Sequence, residues 1–148
     1  MPRFSHILVP VDFGGPSQAG LDLAVELAHR LGSALTVVHS YEIAAYAYDG
    51  MMLSTTDLIL PIEKAASAQL DKTLAELQRT FPAATGLLRN GVAWEQILSA
   101  AEDCKADLIV LGTHGRTGIK RALLGSVAEK VVRMSPIPVM TVRGSDTD

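Results

Sequence analysis

Cysteine is almost absent from the 148-residue chain, where Cys104 stands alone. A single thiol excludes an intramolecular disulfide and a cysteine-built zinc site, and it fits a reducing compartment. Long apolar runs are missing as well. No stretch approaches the roughly 20 apolar residues that span a bilayer. The N-terminal run His6-Ile7-Leu8-Val9-Pro10-Val11 is short, holds a proline and leads straight into Asp12. It has neither the length nor the cleavage site of a signal peptide. A soluble, cytoplasmic protein is expected. Positive charge is also scarce: 16 acidic against 13 basic side chains leave a formal net charge of −3. A general binder of nucleic acid or anionic membrane carries a basic excess instead, so neither is expected as a partner.

What the chain does have is apolar bulk in a regular pattern. With 48% hydrophobic residues over 148 positions, one domain can bury roughly 70% of the surface its unfolded chain exposes. A single domain over residues 1–148 is expected, with 144–148 a frayed polar tail. Five short β-type runs fall at residues 7–11, 34–41, 84–89, 107–112 and 138–143. The first and fourth are continuously apolar, as in strands covered on both faces.

Between them lie stretches of helical period at residues 17–31, 61–81, 93–104 and 127–134. Leu21, Ala24, Val25, Ala28 and Leu31 share one stripe, and Ile62, Ala66, Leu70, Leu74, Leu77 and Phe81 share another. Pro61 suits a first helical turn, and Pro136 and Pro138 stop the last helix. Strand and helix alternate throughout, which demands a parallel sheet with helical crossovers on both faces. The segment 42–60, with Tyr46, Tyr48, Met51 and Met52, is longer than an ordinary connection. It reads as a half-ordered loop, a flap or a partner surface.

The most informative stretch follows the fourth strand, from Gly112 to Val127. Gly112 and Gly115 stand where the strand ends, and glycine allows the positive φ and close backbone approach that cradling an oxyanion needs. Gly125-Ser126 opens a helix, and Ser126 with Glu129 three positions on reads as a capping box. That helix start offers free N–H groups and a positive dipole end to a phosphate. Arg116, Lys120 and Arg121 add local positive charge. About fourteen residues join strand and helix where two to six suffice. Such glycines and caps also occur in proteins that bind nothing, but structure alone does not ask for a loop of that length.

Topology bears on the same point. Ligands of open α/β sheets sit at the carboxyl ends of strands where the winding reverses. In strand order 3-2-1-4-5 the first and fourth strands are neighbours, so Asp12 faces the glycine loop. In the rival order 2-1-3-4-5 the crevice lies elsewhere. The first order is preferred, and Asp12 reads either as a site carboxylate or as a turn residue before Gly14-Gly15.

These residues resemble the universal stress protein family across essentially the whole chain. The resemblance rests on Ile7-Leu8-Val9-Pro10-Val11-Asp12, His39, Asp107-Leu108-Ile109-Val110-Leu111-Gly112 and Pro138-Val139-Met140-Thr141-Val142. Its most specific piece is the pattern G-x2-G-x9-G-[ST], met in full by Gly112, Gly115, Gly125 and Ser126. The resemblance implies a Rossmann-like fold and an ATP binder, with Mg2+ or Mn2+ accompanying the nucleotide. It implies that Pro10, Val11 and Asp12 line the adenosine side, with Asp12 near the phosphates and the cation. Ser40 would give backbone contacts to adenine, in a place where relatives often carry a branched aliphatic residue. Leu111 and Gly112 would flank the ribose, and Gly115, Arg116, Gly125, Ser126 and Val127 would hold the triphosphate. It also implies a homodimer through the last strand, Pro138 to Arg143, whose uncovered edge independently favours pairing.

Catalysis is a separate matter. The chain has no G-x-x-x-x-G-K-[ST] and no G-x-S-x-G motif. His114 either polarises a γ-phosphate or is a loop histidine bonded to backbone; His6, His29 and His39 read as structural. Phosphate held by backbone amides is bound alike in ground and transition states, so slow hydrolysis or none is expected and no catalytic residue is assigned. Three readings stand: a nucleotide-dependent stress or signalling module, a weak ATPase or phosphotransferase, and a dimeric interaction protein without a nucleotide.

Overall fold

The computed structural model describes residues 4–43, 59–113 and 124–144. Its elements, in chain order, are β1 (His6–Pro10), α1 (Gly15–Leu31), β2 (Ala34–Tyr41), α2 (Leu60–Gln78), β3 (Thr85–Asn90), α3 (Ala93–Asp103), β4 (Leu108–Gly112), α4 (Ser126–Met134) and β5 (Val139–Val142). The strands form one parallel sheet in the order β3-β2-β1-β4-β5. This is the doubly wound α/β arrangement that the sequence implied. Element limits agree with the sequence reading to within three residues, and β2 matches it at both ends. The helix expected to start at residue 17 starts at Gly15, and the one expected to reach Phe81 ends at Gln78.

Central strands are apolar on both faces because both faces are covered. In β1, Ile7, Leu8 and Val9 are each 0% exposed. One side of the sheet packs Ile7, Val9 and Val37 against Leu21, Ala24 and Ala28 of α1 and Leu70 and Leu77 of α2. The other packs Leu8, Val38 and Ile109 against Ile97 and Ala100 of α3 and Ala128 and Val131 of α4. Leu31 departs from the stripe expected of it: at 47% exposure it lies outside the core, because α1 ends there. Gly32 follows with φ +68° and terminates the helix in a left-handed turn, a conformation that costs glycine little.

The sheet has two edge strands, β3 and β5. Strand β5 pairs with β4 alone, and Met140 on it is 38% exposed. Gly144, expected in a frayed tail, comes close to Pro16, whose Cα lies 3.2 Å from the place a Cβ would take. Among the described residues, no helix is long and apolar enough to cross a membrane.

The amino-terminal end of the sheet carries a part-buried polar ladder. His6 Nε2 lies 2.7 Å from Thr36 Oγ1, which lies 2.9 Å from Thr85 Oγ1, so the contact crosses β1, β2 and β3. Nearby, Asp107 accepts from the His6 amide at 2.9 Å and the Ser5 amide at 2.8 Å. Burial lowers the His6 pKa, partly offset by Asp107. Burial pulls Asp107 upward, but its bonds from His6 and Ser5 outweigh this and hold it below its ordinary value.

Both shifts make the fold acid-labile. The unfolded chain protonates His6 near the ordinary 6.5 while the folded chain resists. The His6 contribution is therefore complete above that value and is lost as pH falls below it. The Asp107 contribution persists above 3.8 and is lost only as pH falls through its lower folded value. Melting temperature is expected to drop between about pH 7 and pH 5, and His6→Gln, which keeps a hydrogen-bonding group but does not titrate, should flatten that segment of the profile. An unchanged slope in the variant would assign the acid sensitivity elsewhere.

Candidate functional site

The winding of the chain reverses at β1, which has β2 on one side and β4 on the other. A crevice between the carboxyl ends of β1 and β4 is where a sheet of this topology places a ligand. Strand β1 leaves the sheet at Pro10 and turns into α1 through Val11-Asp12-Phe13-Gly14. Side chains hold that turn. Asp12 Oδ1 accepts the Gly14 amide at 2.9 Å, and Ser17 Oγ accepts the Asp12 amide at 3.0 Å. Asp12 thus serves the turn, the local role the sequence allowed, and stands at the crevice as well.

The first turn of α1 abuts the end of β4. A Cβ built on Gly112 would lie 2.3 Å from the Pro16 carbonyl oxygen and 3.1 Å from the Ser17 nitrogen. Gly20 is tight as well, though less so: its Cβ would lie 3.0 Å from the Gly112 nitrogen. This corrects the expectation that Gly112 is needed for a positive φ, since positive-φ glycines among the described residues are Gly32 and Gly91. Gly112 is glycine because the helix backbone occupies the space of a side chain. The packing also brings Gly112 to the turn that contains Asp12, joined through Ser17.

Beyond Gly112 the two ends of the long connection meet. The Gly125 amide donates to the Thr113 carbonyl at 2.5 Å. Both ends of the glycine pattern therefore converge at one neck. Helix α4 begins there with Gly125 as its N-cap, in extended geometry (φ −62°, ψ 163°), and with no side-chain capping bond. The capping box expected of Ser126 and Glu129 is not formed. Ser126 is the first helical residue instead, one position inside the cap, and glycine can fill the N-cap position without a side-chain bond. The Ser126 side chain is exposed and not used to close the helix. Helix α1 likewise starts at an N-cap, Gly14, with no side-chain bond and no acidic residue in its first turn. Two helix starts without a side-chain capping bond among the described residues, each with the positive end of its dipole, thus stand at the carboxyl end of the sheet.

Of the residues the sequence put forward, Pro10, Val11, Asp12, Ser40, Leu111, Gly112, Gly125, Ser126 and Val127 all lie at this end. Val11 and Leu111 are 6% and 4% exposed and pack into the two opposite cores, so only their main chain is offered to the crevice. Ser40, the next-to-last residue of β2, pairs with Arg89 of β3, one strand away from the β1–β4 gap. His114, Gly115 and Arg116 lie outside the described residues, as do Lys120, Arg121, Tyr46, Tyr48, Met51 and Met52. No cluster of three or more His, Cys, Asp or Glu able to hold a metal occurs among the described residues. Sequence reasoning passed over Ser17 and Phe13 and read His39 as structural. Ser17 was hidden inside a helix, Phe13 takes a left-handed φ of +67° that no residue pattern displays, and His39 meets the Val11 carbonyl and the Phe13 ring.

A five-stranded parallel sheet in the order β3-β2-β1-β4-β5, with helices on both faces, is a Rossmann-like α/β protein. The profile of the "Universal stress protein family" matches residues 3–143, and the chain belongs to that family. It is 32% identical over 142 residues to universal stress protein A homolog 1 of Coxiella burnetii, covering 95% of this chain and 96% of that one. It is 34% identical over 140 residues to a Thermus aquaticus universal stress protein, covering 95% and 99%. Universal stress protein UspA from Lactobacillus plantarum superposes with a TM-score of 0.80 at 25% identity, over 97% of this chain and all (100%) of the other. Two more distant folds were solved with nucleotides. One is a universal stress protein in complex with cAMP (TM-score 0.72, 21% identity, 97% and 100% covered). The other is an Arabidopsis thaliana family member with AMP bound (TM-score 0.67, 14% identity, 97% and 94% covered).

Proposed function

We propose that this protein binds ATP, accompanied by Mg2+ or Mn2+, at the carboxyl ends of β1 and β4 and acts as a nucleotide-dependent stress or signalling module. The Gly125–Thr113 hydrogen bond carries this reading, because it draws both ends of the G-x2-G-x9-G-[ST] pattern to the uncapped start of α4. The residues fit the group. Ser126 and Val127 lie in the first turn of α4, where amides have no intrahelical partner, and the exposed Ser126 is not the cap residue. Asp12 stands across the crevice to meet a cation carried by the phosphates. The cAMP and AMP complexes of similar folds support an adenine nucleotide over other anions.

In this reading the chain's own residues bind and orient the nucleotide, and none is assigned to activate water. Main-chain donors hold the phosphates equally before and during bond cleavage, so slow hydrolysis or none is the expectation. Calorimetric titration with ATP, AMP, cAMP and GTP in the presence of Mg2+ tests the reading, and heat with ATP is the supporting result. Absence of heat at millimolar nucleotide overturns it. Trp94, the only tryptophan, gives a second readout: Lys130 of α4 sits 5.6 Å above its ring, so a ligand at the start of α4 should alter its emission.

The assembly proposed is a homodimer through β5. The strand's outer edge offers unpaired main-chain groups, and the exposed Met140, Val132 and Met134 (38%, 43% and 53%) lie on β5 and the adjoining α4. Met140→Asp is expected to convert dimer to monomer in sedimentation equilibrium with little change in melting temperature. A monomeric parent protein would overturn the dimer, and a variant that still dimerises would overturn its placement on β5.

A further inference from the structure

We infer that His39 and Phe13 form a latch that positions the Val11–Asp12 edge of the crevice, an inference resting on the nucleotide reading above. Val11 spends its amide on the Val38 carbonyl at 2.8 Å, the last sheet-like bond of β1 toward β2. Its carbonyl, past the end of the strand, pairs with a side chain: His39 Nδ1 lies 2.8 Å away. A carbonyl oxygen only accepts, so Nδ1 carries the proton and donates. Two residues later Phe13 holds φ at +67°. An aromatic L-residue keeps that conformation only where its surroundings over-determine it. The same histidine supplies the constraint, its ring centroid 4.4 Å from that of Phe13 with the planes tilted by 45°.

One side chain of β2 therefore governs the backbone on both sides of Asp12. It fixes the carbonyl before the carboxylate by a hydrogen bond and the residue after it by ring contact. Phe13 adds a second anchor by packing against the core beneath α1 and α2. If the latch opens, the left-handed step at Phe13 can relax, and Val11 and Asp12 shift relative to Gly112. His39 is a positioning residue in this scheme: its bond to Val11 orients the main chain and carboxylate offered to the ligand.

Two substitutions at His39 separate positioning from general support. Asparagine places its amide N–H where Nδ1 stood, whereas glutamine places it about where Nε2 stood. With MgATP as titrant, His39→Gln is expected to bind about tenfold more weakly than the parent, the equivalent of one displaced hydrogen bond, and His39→Asn to recover most of that loss. Phe13→Gly, which accepts a positive φ without strain, should fold normally and bind ATP several-fold more weakly for want of the ring contact. Equal affinity in His39→Gln and the parent overturns the inference, and so does an equal fall in the asparagine and glutamine variants. Parent-level affinity in Phe13→Gly removes the ring from the latch and overturns it as stated. Failure of the parent itself to bind ATP defeats the nucleotide reading, and the latch falls with it.

Discussion

Replacing Gly112 by alanine should lower the melting temperature by several degrees, at a cost of about 1–3 kcal/mol typical of forcing an extra carbon into a packed site. The added Cβ would sit 2.3 Å from the carbonyl oxygen and 2.6 Å from the carbonyl carbon of Pro16. Neither is the yielding tip of a side chain; both belong to the backbone of α1. The helix must move away from β4, and Gly20 shows how little room it has, since its own Cβ would stand 3.3 Å from the Leu111 carbonyl carbon. Because Ser17 on that helix holds the Asp12 amide, the displacement reaches the crevice and should weaken ATP as well. Gly15→Ala is the matched control. Its Cβ would meet nothing within 4 Å, so thermal melting should move by less than about 1 kcal/mol or rise slightly with helix propensity. Equal melting curves for Gly112→Ala and Gly15→Ala would refute the close-approach explanation.

Ser126→Asp should separate stability from binding by moving them in opposite directions. A carboxylate in the first turn of α4 meets the positive end of the dipole and should stabilise the fold by about 0.3–1 kcal/mol. The same charge would stand where the reading puts the phosphates, and repulsion inside a partly desolvated crevice should weaken ATP by about a hundredfold or more. Ser126→Ala should leave stability within about 0.5 kcal/mol, because Gly125 and not Ser126 is the cap. Melting and calorimetry on the same samples decide the matter. A stabilised aspartate variant with unimpaired ATP binding would remove α4 from the site.

Much of the architecture was legible in the sequence because it rests on local repetition. Ile7-Leu8-Val9 and Leu108-Ile109-Val110-Leu111 announce strands covered on both faces, and every one of these residues proves buried. The order β3-β2-β1-β4-β5 followed from requiring Asp12 and Gly112 to share a crevice. What escaped was non-local or a matter of one residue. The serine of a capping pattern and the glycine before it are both competent caps, so spacing alone does not choose between Gly125 and Ser126. The demand for glycine at position 112 comes from Pro16, nearly a hundred positions away in the chain, and no window around Gly112 contains it. His39 read as structural because its partner is a main-chain carbonyl, and the left-handed twist of Phe13 leaves no mark on residue order. Leu31 kept the helical rhythm past the point where any sheet lay beneath it.

The bond between Gly125 and Thr113 has an evolutionary corollary. It clasps the excursion at its base, so the entropy of closing the ring is already spent where strand meets helix. Doubling the number of residues inside such a ring costs only about 0.6 kcal/mol more. Insertions or wholesale exchange of the stretch between the clasped residues should therefore leave the sheet undisturbed. Selection can retune ligand chemistry there without renegotiating the scaffold.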